Sequence, residues 1–306
     1  TGVQRVLFRS AAAALVTVAL AQPATAGARA YLKSNGTGDC LSESTACHSM
    51  TGALNAAGAN GEVFCLDAGF YGAFSINFSI TINCEYETFQ SGLNFNTISV
   101  AATDTVILNG FDIDTRKAVN GVPLTITGAG AVILRNGRIS NSLSNGLVVA
   151  PTGVLNLVME NVFVSSASVA GVYLGANGGS LNAQLTDVRV EKADGYAFGI
   201  DGSGSTVGVN VTINGGAATT SGNGILAYTT PGKAPVIVTT IGTQFGGNQT
   251  GINANGAVQV NVSGARIAGN GAAAVAVNGG QILTFGDNIV AGNVANGTFT
   301  GSVAKQ

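Results

Sequence analysis

The sequence predicts an all-β fold built as a parallel solenoid, and three observations support it. A weak repeat of 22 to 32 residues runs from about residue 100 onward, and each repeat holds three short apolar segments. Gly accounts for 45 of the 306 residues and gathers with Asn between those segments, where turns need positive φ angles. Within the segments, apolar and polar residues alternate as in strands. One such coil cannot bury its own inward face, so stacking of coils must create the core.

The first segment of each repeat is a short strand that ends in a large apolar residue. The second segment begins with GVPLTI at 121–126 and the third with AVIL at 131–134, and both recur in step with the first. A sandwich of hairpins is the alternative, but it would give a strand every roughly 8 to 12 residues without register between repeats. The pattern therefore favours about nine or ten coils. The predicted terminal residues of the first segment are Ile113, Ile139, Val164, Val190, Ile213, Phe245, Ile267 and Ile289.

The N-terminal thirty residues have the pattern of an export signal. Arg5 and Arg9 provide positive charge, and the apolar stretch 11–21 follows them. Small-residue cleavage patterns end at Ala26 and at Ala30, and the sequence leaves both sites open. The stretch is too short to cross a bilayer, which needs about 20 apolar residues. We therefore expect a secreted, periplasmic or cell-surface protein with no membrane span after cleavage.

The four cysteines agree with export. All lie in the first third of the chain, and an even number in an exported protein indicates disulfides. Three pairings are possible, and we favour the local one, Cys40 with Cys47 and Cys65 with Cys84. Zinc binding is the alternative, but it needs closely spaced ligand pairs, and His48 is the only histidine. No metal site is predicted here.

The N-terminal block resembles that of a known family. The run ACHSMTGALNAAGANGEVFCLDAGFYGAFSINFSITI at 46–82 is similar to secreted bacterial right-handed parallel β-helix repeat proteins of the pectin-lyase-like superfamily. The resemblance implies a right-handed parallel β-helix whose first coil is capped by a short helix at 51–59. A cap is needed because an open end would leave strand edges free to pair with other chains. The predicted organisation is a signal peptide (1–30), a disulfide-containing cap (31–62), a parallel β-helix (63–295) and a C-terminal tail (296–306).

Composition and resemblance together narrow the classes of partner. Only 9% of the residues are charged and the net charge is −2, so no basic field is available for nucleic acid. Enzymes on the resembled scaffold imply two chemistries. Hydrolysis needs a pair of carboxylates, whereas elimination needs calcium held by several carboxylates and a basic residue that removes a proton. The positions of the carboxylates therefore decide between an enzyme and a binding protein.

The segment NGFDIDTRK at 109–117 concentrates charge in a chain that has little. Because side chains alternate along a strand, Phe111 and Ile113 are expected to point inward. Asp112 and Asp114 then point outward, with Cα atoms about 7 Å apart, a separation that permits a hydrolytic pair.

Salt bridges are the interpretation that we favour for these charges. Stacking at about 4.8 Å should place Arg138 of the next coil directly over Asp112. Asp114 is then expected to pair with Arg116 or Lys117. Exposed pairs of this kind stabilise a fold by only ~0–1 kcal/mol each.

A ligand-binding patch and a catalytic site are the competing interpretations. A catalytic site would use Asp112, Asp114 and Arg138, with Ca²⁺ only if the protein is a lyase. The third acid is the difficulty, because Glu191 lies three coils from Asp114, about 14 Å away. The predicted column at the Asp112 position is Arg138, Phe163, Arg189, Thr212, Gln244, Arg266 and Asn288. The predicted ligand-binding residues are Asp112, Asp114, Arg116, Arg138, Phe163, Arg189 and Glu191.

The sequence favours a secreted, non-catalytic scaffold that binds extracellular or cell-surface polysaccharide, or another envelope component, without a cofactor. A polysaccharide lyase or glycoside hydrolase that acts on acidic polysaccharide is the alternative. Other aromatic residues, Tyr173, Tyr196 and Tyr228, look scattered, and Asp201 is expected in a turn. The sequence does not predict an oligomeric state.

Overall fold

The structure is a computed structural model that describes residues 27–84, 89–91, 95–116 and 121–304. A short 3-10 helix (Glu43–Thr45) and one α-helix, α1 (Met50–Ala57), accompany the strands. In chain order the strands are β1 (Arg29–Leu32), β2 (Gly61–Cys65), β3 (Gly69–Phe70), β4 (Ser75–Ile76), β5 (Ile80–Asn83), β6 (Phe89–Ser91), β7 (Asn96–Val100), β8 (Thr105–Asp114), β9 (Leu124–Gly128), β10 (Gly130–Ser140), β11 (Leu147–Val149), β12 (Val154–Ala167), β13 (Ala170–Gly175), β14 (Ser180–Thr186), β15 (Arg189–Ala193), β16 (Tyr196–Asp201), β17 (Gly208–Asn214), β18 (Ala217–Thr219), β19 (Asn223–Tyr228), β20 (Val236–Ile241), β21 (Gln244–Gly246), β22 (Thr250–Asn255), β23 (Val258–Ser263), β24 (Arg266–Ala268), β25 (Ala272–Val277), β26 (Gln281–Thr284), β27 (Ile289–Ala291) and β28 (Gly301–Ser302).

The strands stack into a parallel β-solenoid with three faces. Face 1 contains β1, β2, β5, the first parts of β8, β10 and β12, and then β14, β17, β20, β23, β26 and β28. Face 2 contains β3, β6, the second parts of β8, β10 and β12, and then β15, β18, β21, β24 and β27. Face 3 is a separate sheet of nine strands: β4, β7, β9, β11, β13, β16, β19, β22 and β25. Within the described residues these nine strands bound eight complete turns, so the predicted solenoid is confirmed with slightly fewer turns than the nine or ten expected.

The corner between faces 1 and 2 explains the spacing of Gly and Asn. From β8 onward, each coil has at least one residue with a positive φ there, for example Gly110 (79°), Asn136 (50°) and Asn161 (52°). These are the residue types that accept the left-handed conformation with least strain. The asparagines also form a ladder, because Asn136 Nδ2 donates to Asn109 Oδ1 and Asn161 Nδ2 donates to Asn136 Oδ1. The corner is therefore set by sequence and held by side-chain hydrogen bonds between coils.

The core fills the inside of the solenoid with the alternating apolar residues. Phe111, Ile113 and Ile139 are among the fully buried side chains of face 2. Gly137 pairs in register with Phe111, and a methyl group on Gly137 would overlap the Phe111 ring. The large ring therefore fits because the next coil has no side chain at this inward position.

The predicted register of face 2 is wrong in two coils. Asn210–Ile213 belongs to β17 on face 1, where Asn210 pairs with Asn182. The missing face 2 strand is β18, whose Ala218 pairs with Val190 and Phe245. Near the C-terminus, Val290 rather than Ile289 pairs with Ile267. The strand β18 consists of small residues and lacks the apolar end that identifies the other strands. In β27 the adjacent Ile289 and Val290 are both apolar, so the pattern did not fix which of them points inward.

The N-terminal part of the chain has the predicted helix and disulfides. Helix α1 starts after Ser49, whose side chain accepts from Gly52 N, and it buries Met50, Ala53, Leu54 and Ala57. The disulfides join Cys40 to Cys47 and Cys65 to Cys84, with Cα–Cα distances of 4.7 and 4.9 Å. The cap helix and the favoured pairing are therefore confirmed.

The ends of the described region both belong to the solenoid. The predicted boundary between residues 30 and 31 falls inside β1, whose Ala30 is fully buried. A cut after Ala26 would leave β1 whole. In the predicted tail, β28 pairs with β26 and Phe299 packs against the core, so these residues cover the last coil. No helix in the described ranges is long and apolar enough to cross a membrane.

Candidate functional site

Face 2 brings most of the predicted site residues into two neighbouring outward columns. Arg138 pairs in register with Asp112 on one side and with Phe163 on the other, and Phe163 pairs with Arg189. Glu191 belongs to the neighbouring column, together with Asp114. The observed column is Asp112, Arg138, Phe163, Arg189, Ala217, Gln244, Arg266 and Ile289. Thr212 and Asn288 were wrongly predicted to lie in it, because of the register errors described above.

Asp112 is the most unusual residue of the column. Its side chain is partly buried, and its Oδ1 atom is buried without a hydrogen-bond partner among the described residues. Burial raises the pKa of this carboxyl above its ordinary value, and the negative charge of Asp114 adds to the effect, while the positive charge of Arg138 opposes it. The predicted ion pair with Arg138 is wrong, because the two side chains do not come within 4.0 Å. The ion pairs of the described residues are Arg29–Glu62 and Arg135–Glu160.

Asp114 is held in a different way. Its Oδ1 atom accepts a hydrogen bond from the backbone N–H of Arg116 at 2.8 Å and another from Asn141 Nδ2 at 2.9 Å. The expected ion pair with the Arg116 side chain is absent from the described residues, and Lys117 lies outside them. The interaction with Arg116 is a local turn in which the carboxylate caps a backbone amide two residues ahead. Asp114 therefore fixes the end of β8, and its carboxylate already has two donors.

The remaining predicted residues form an exposed patch above the two acids. Arg138, Arg189 and Arg116 are exposed, whereas Phe163 and Glu191 are of intermediate exposure. Neither Arg138 nor Arg189 belongs to an ion pair within the described part of the chain. The patch thus presents two free guanidinium groups two coils apart, with an aromatic ring between them. We call Asp112, Arg138, Phe163 and Arg189 the charged column.

Ser140 is a neighbour that sequence reasoning did not single out. It occupies an outward position in register with Asp114 and with Ser165. It is nevertheless only 1% exposed, and its Oγ atom has no hydrogen-bond partner among the described residues. Buried polar atoms nearly always have hydrogen-bond partners. Two buried oxygens without a partner among the described residues, Asp112 Oδ1 and Ser140 Oγ, on adjacent strands are therefore an unusual feature of face 2. Sequence shows only a serine at a strand end.

Calcium is the metal that the resembled scaffold implies, and the residues present do not fit it. Ca²⁺ takes six to eight oxygen ligands, with several carboxylates among them. Asp112 and Asp114 are the acids of this part of face 2, and the next coil supplies Ser140 at the Asp114 position. In the described parts of the chain, no three His, Cys, Asp or Glu side chains are grouped to hold a metal ion.

A second group of residues, on face 3, was not predicted to come together. Tyr173 and Tyr228 both donate hydrogen bonds to Asp201 Oδ2, at 2.6 and 2.7 Å. The backbone N–H of Ser203 donates to Asp201 Oδ1 at 2.7 Å. Burial opposes ionisation of Asp201, but these hydrogen bonds outweigh it and hold the pKa of the carboxyl below its ordinary value. Asp201 lies at the end of β16 rather than in a turn as expected, because it continues a strand whose neighbours supply donors.

Comparisons with known proteins agree with the fold. No protein-family model matches the chain, and no curated protein sequence matches it. Among solved structures, the chain is similar to the crystal structure of pectate lyase Pel9A, with a TM-score of 0.57 and 15% sequence identity. The match covers 90% of this chain and 78% of that chain. At this identity the likeness shows a shared architecture, the parallel β-helix of a pectate lyase.

Proposed function

We propose that this protein is an exported, non-catalytic scaffold that binds acidic extracellular or cell-surface polysaccharide along face 2. The observation that carries the proposal is the charged column, in which Arg138, Phe163 and Arg189 follow one another on adjacent coils. Both guanidinium groups are exposed and lack an ion-pair partner in the described part of the chain. Free cations aligned along a rigid axis suit a polymer that repeats its negative charge.

The chemistry of the column matches uronic acid polymers. A guanidinium group binds a carboxylate through two parallel hydrogen bonds, which gives both strength and orientation. The Phe163 ring between the two arginines offers an apolar surface to the C–H face of a sugar. The two guanidinium groups lie two coils apart, about 10 Å at the spacing of stacked strands. A flexible loop would lose more entropy on binding than this packed sheet.

Two further observations support the substrate class and the location. The similar solved structure is a pectate lyase by name, and the same architecture supports a polysaccharide ligand here. The two disulfides suit an oxidising compartment outside the cytoplasm.

Binding to polygalacturonate, measured by affinity electrophoresis and calorimetry, tests the proposal. The double variant Arg138→Gln/Arg189→Gln should bind about a hundredfold or more weakly, since each of the two charge-assisted contacts contributes about 1.5–3 kcal/mol. Arg29→Gln/Arg135→Gln is the matched control, because it removes the same charge from arginines that already have ion-pair partners on face 1. Equal weakening in both double variants would reduce the effect to net charge and contradict a site on face 2.

An enzyme that acts on the same polymer is the second candidate, and Asp112 favours it. A carboxyl with a raised pKa and a free oxygen can act as a general acid. Assays for reducing ends and unsaturated products, with and without calcium, separate the two functions. Product formation that Asp112→Asn abolishes, while binding to the polymer persists, would replace the scaffold by a glycoside hydrolase or lyase.

A further inference from the structure

Three tyrosines from successive coils meet on face 3. Tyr173 lies in β13, Tyr196 in β16 and Tyr228 in β19. Asp201 at the end of β16 pairs in register with Tyr228, and it accepts the hydroxyl groups of both Tyr173 and Tyr228. Tyr196 is close enough for the Asp201 charge to raise its pKa, an effect second to that of burial. We call Tyr173, Tyr196, Tyr228 and Asp201 the tyrosine cluster.

Glycines let two of these rings lie along the sheet. A methyl group on Gly175 would overlap the Tyr173 ring, and one on Gly199 would overlap the Tyr196 ring. Each ring therefore rests on backbone that has no side chain of its own. Both tyrosines remain of intermediate exposure, so part of each ring is accessible from outside. The result is an aromatic surface on the outside of face 3.

A groove continues this surface toward the C-terminal coils. Its volume is about 650 Å³, within the range of small-molecule sites. Tyr228 lines it and connects it to the tyrosine cluster, and Asn255 follows Tyr228 in the same outward column. Asn278 donates to Asn255 at 2.8 Å, so amide groups line the floor. The rest of the lining consists of Thr, Pro, Gly and Ala residues, with no charged side chain.

We propose that the tyrosine cluster and the adjoining groove form a second carbohydrate site, one that takes uncharged sugar rings. Aromatic rings offer a surface for the C–H face of a sugar, and the hydroxyl and amide groups beside them suit sugar hydroxyls. The site lies on a different face from the charged column, so this proposal is independent of the proposed binding of acidic polysaccharide to face 2.

Charge explains why the ligand is neutral. Asp201 is 8% exposed as a residue and its carboxylate already accepts three hydrogen bonds, so it does not offer a free negative charge to a cation. The groove provides no positive charge to an acidic sugar. What remains for recognition is ring stacking together with neutral hydrogen bonds.

The probes are soluble neutral polysaccharides, namely dextran, galactan, mannan and xylan, with polygalacturonate for comparison. The chain contains no Trp and six Tyr, three of them in the cluster, so quenching or enhancement of tyrosine emission reports on the site. We expect at least one neutral polymer to bind and to change the emission. Tyr196→Ala should weaken that binding roughly tenfold by removing one stacking surface. Gly199→Ala should do the same by displacing the Tyr196 ring while every tyrosine remains.

Tyr31→Ala is the control, because Tyr31 stacks on Phe64 on face 1, far from the groove. It should bind the neutral polymer as the wild type does, and Arg138→Gln/Arg189→Gln should also leave that binding unchanged. Thermal melting verifies that the variants are folded. The proposal is overturned if no polymer of the neutral panel binds, or if Tyr196→Ala and Gly199→Ala bind as tightly as Tyr31→Ala.

Discussion

Asp112 is held on face 2 at a cost to stability. Its Oδ1 atom is buried without a partner in the described residues, and burial is the main reason why its pKa is raised. A carboxyl with a higher pKa when folded binds protons more tightly in the native state. Protonated Asp112 therefore makes its full contribution to the stability of the fold below the unfolded pKa, about 3.9. That contribution is lost as the pH rises through the folded pKa and the carboxyl ionises.

Asp112→Asn should accordingly raise the melting temperature at pH 7, because the amide removes a poorly solvated charge. The gain should shrink as the pH approaches 3.5, where the wild-type carboxyl is protonated. Thermal unfolding followed by circular dichroism at both pH values measures the difference. Asp114→Asn is the comparison, and it should be destabilising because the wild-type carboxylate accepts two hydrogen bonds. A lower melting temperature for Asp112→Asn at pH 7 would show that the carboxylate stabilises the fold.

Asparagines give the strands of the C-terminal coils their alignment. Asn248, Asn270 and Asn293 occupy equivalent positions at the corner between faces 2 and 3. Asn270 Oδ1 accepts from the backbone N–H and the side chain of Asn248, and Asn270 Nδ2 donates to Phe245 O and Asn293 Oδ1. Asn270 is 1% exposed, so water cannot replace these bonds. Asn270 therefore joins its own coil to the coils on both sides.

Asn270→Ala should lower the free energy of unfolding by at least about 2 kcal/mol, since each buried group left unpaired costs about 1–3 kcal/mol. Asn210→Ala is the matched control, because Asn210 is exposed, has ordinary strand backbone and donates one side-chain hydrogen bond, to Asn182. The control should change stability by less than about 0.5 kcal/mol. Denaturant titration of the three proteins measures both effects. Equal stability of the two variants would mean that the ladder does not hold the coils together.

In a stacked solenoid each coil contacts only the coils above and below it, so stability depends on contacts between nearest neighbours. The two disulfides lie in the first coils, and Cys65–Cys84 joins β2 to the residue that follows β5. Their stabilisation should therefore stay local. This differs from a globular domain, where one cross-link stabilises a single cooperative core.

Cys65→Ala/Cys84→Ala should destabilise the N-terminal coils by about 2–4 kcal/mol. Hydrogen exchange should accelerate in β1, β2 and β5, while β19, β22 and β25 keep the protection of the wild type. Mass spectrometry of peptic peptides gives this resolution. A uniform loss of protection along the chain would contradict nearest-neighbour stability.

The sequence by itself determined the repeat, because apolar alternation and Gly or Asn at corners are local requirements of every coil. The residues also predicted the two disulfides, and they predicted the alignment of Asp112 with Arg138 because regular spacing on β8 and β10 fixes the register. The cap helix was implied by the family resemblance. The strand β18 escaped prediction, because its Ala-Ala-Thr residues carry no strong apolar signal.

Only the tertiary structure decided the environment of each outward side chain. Asp112 faces Arg138 in register without an ion pair, because direction and burial of a side chain depend on every residue that covers it. Tyr173, Asp201 and Tyr228 are separated by 28 and 27 residues in sequence, yet they share two hydrogen bonds. Stacking at about 4.8 Å brings such residues into contact, and the sequence of a single coil does not show which residues of the neighbouring coils its side chains will contact.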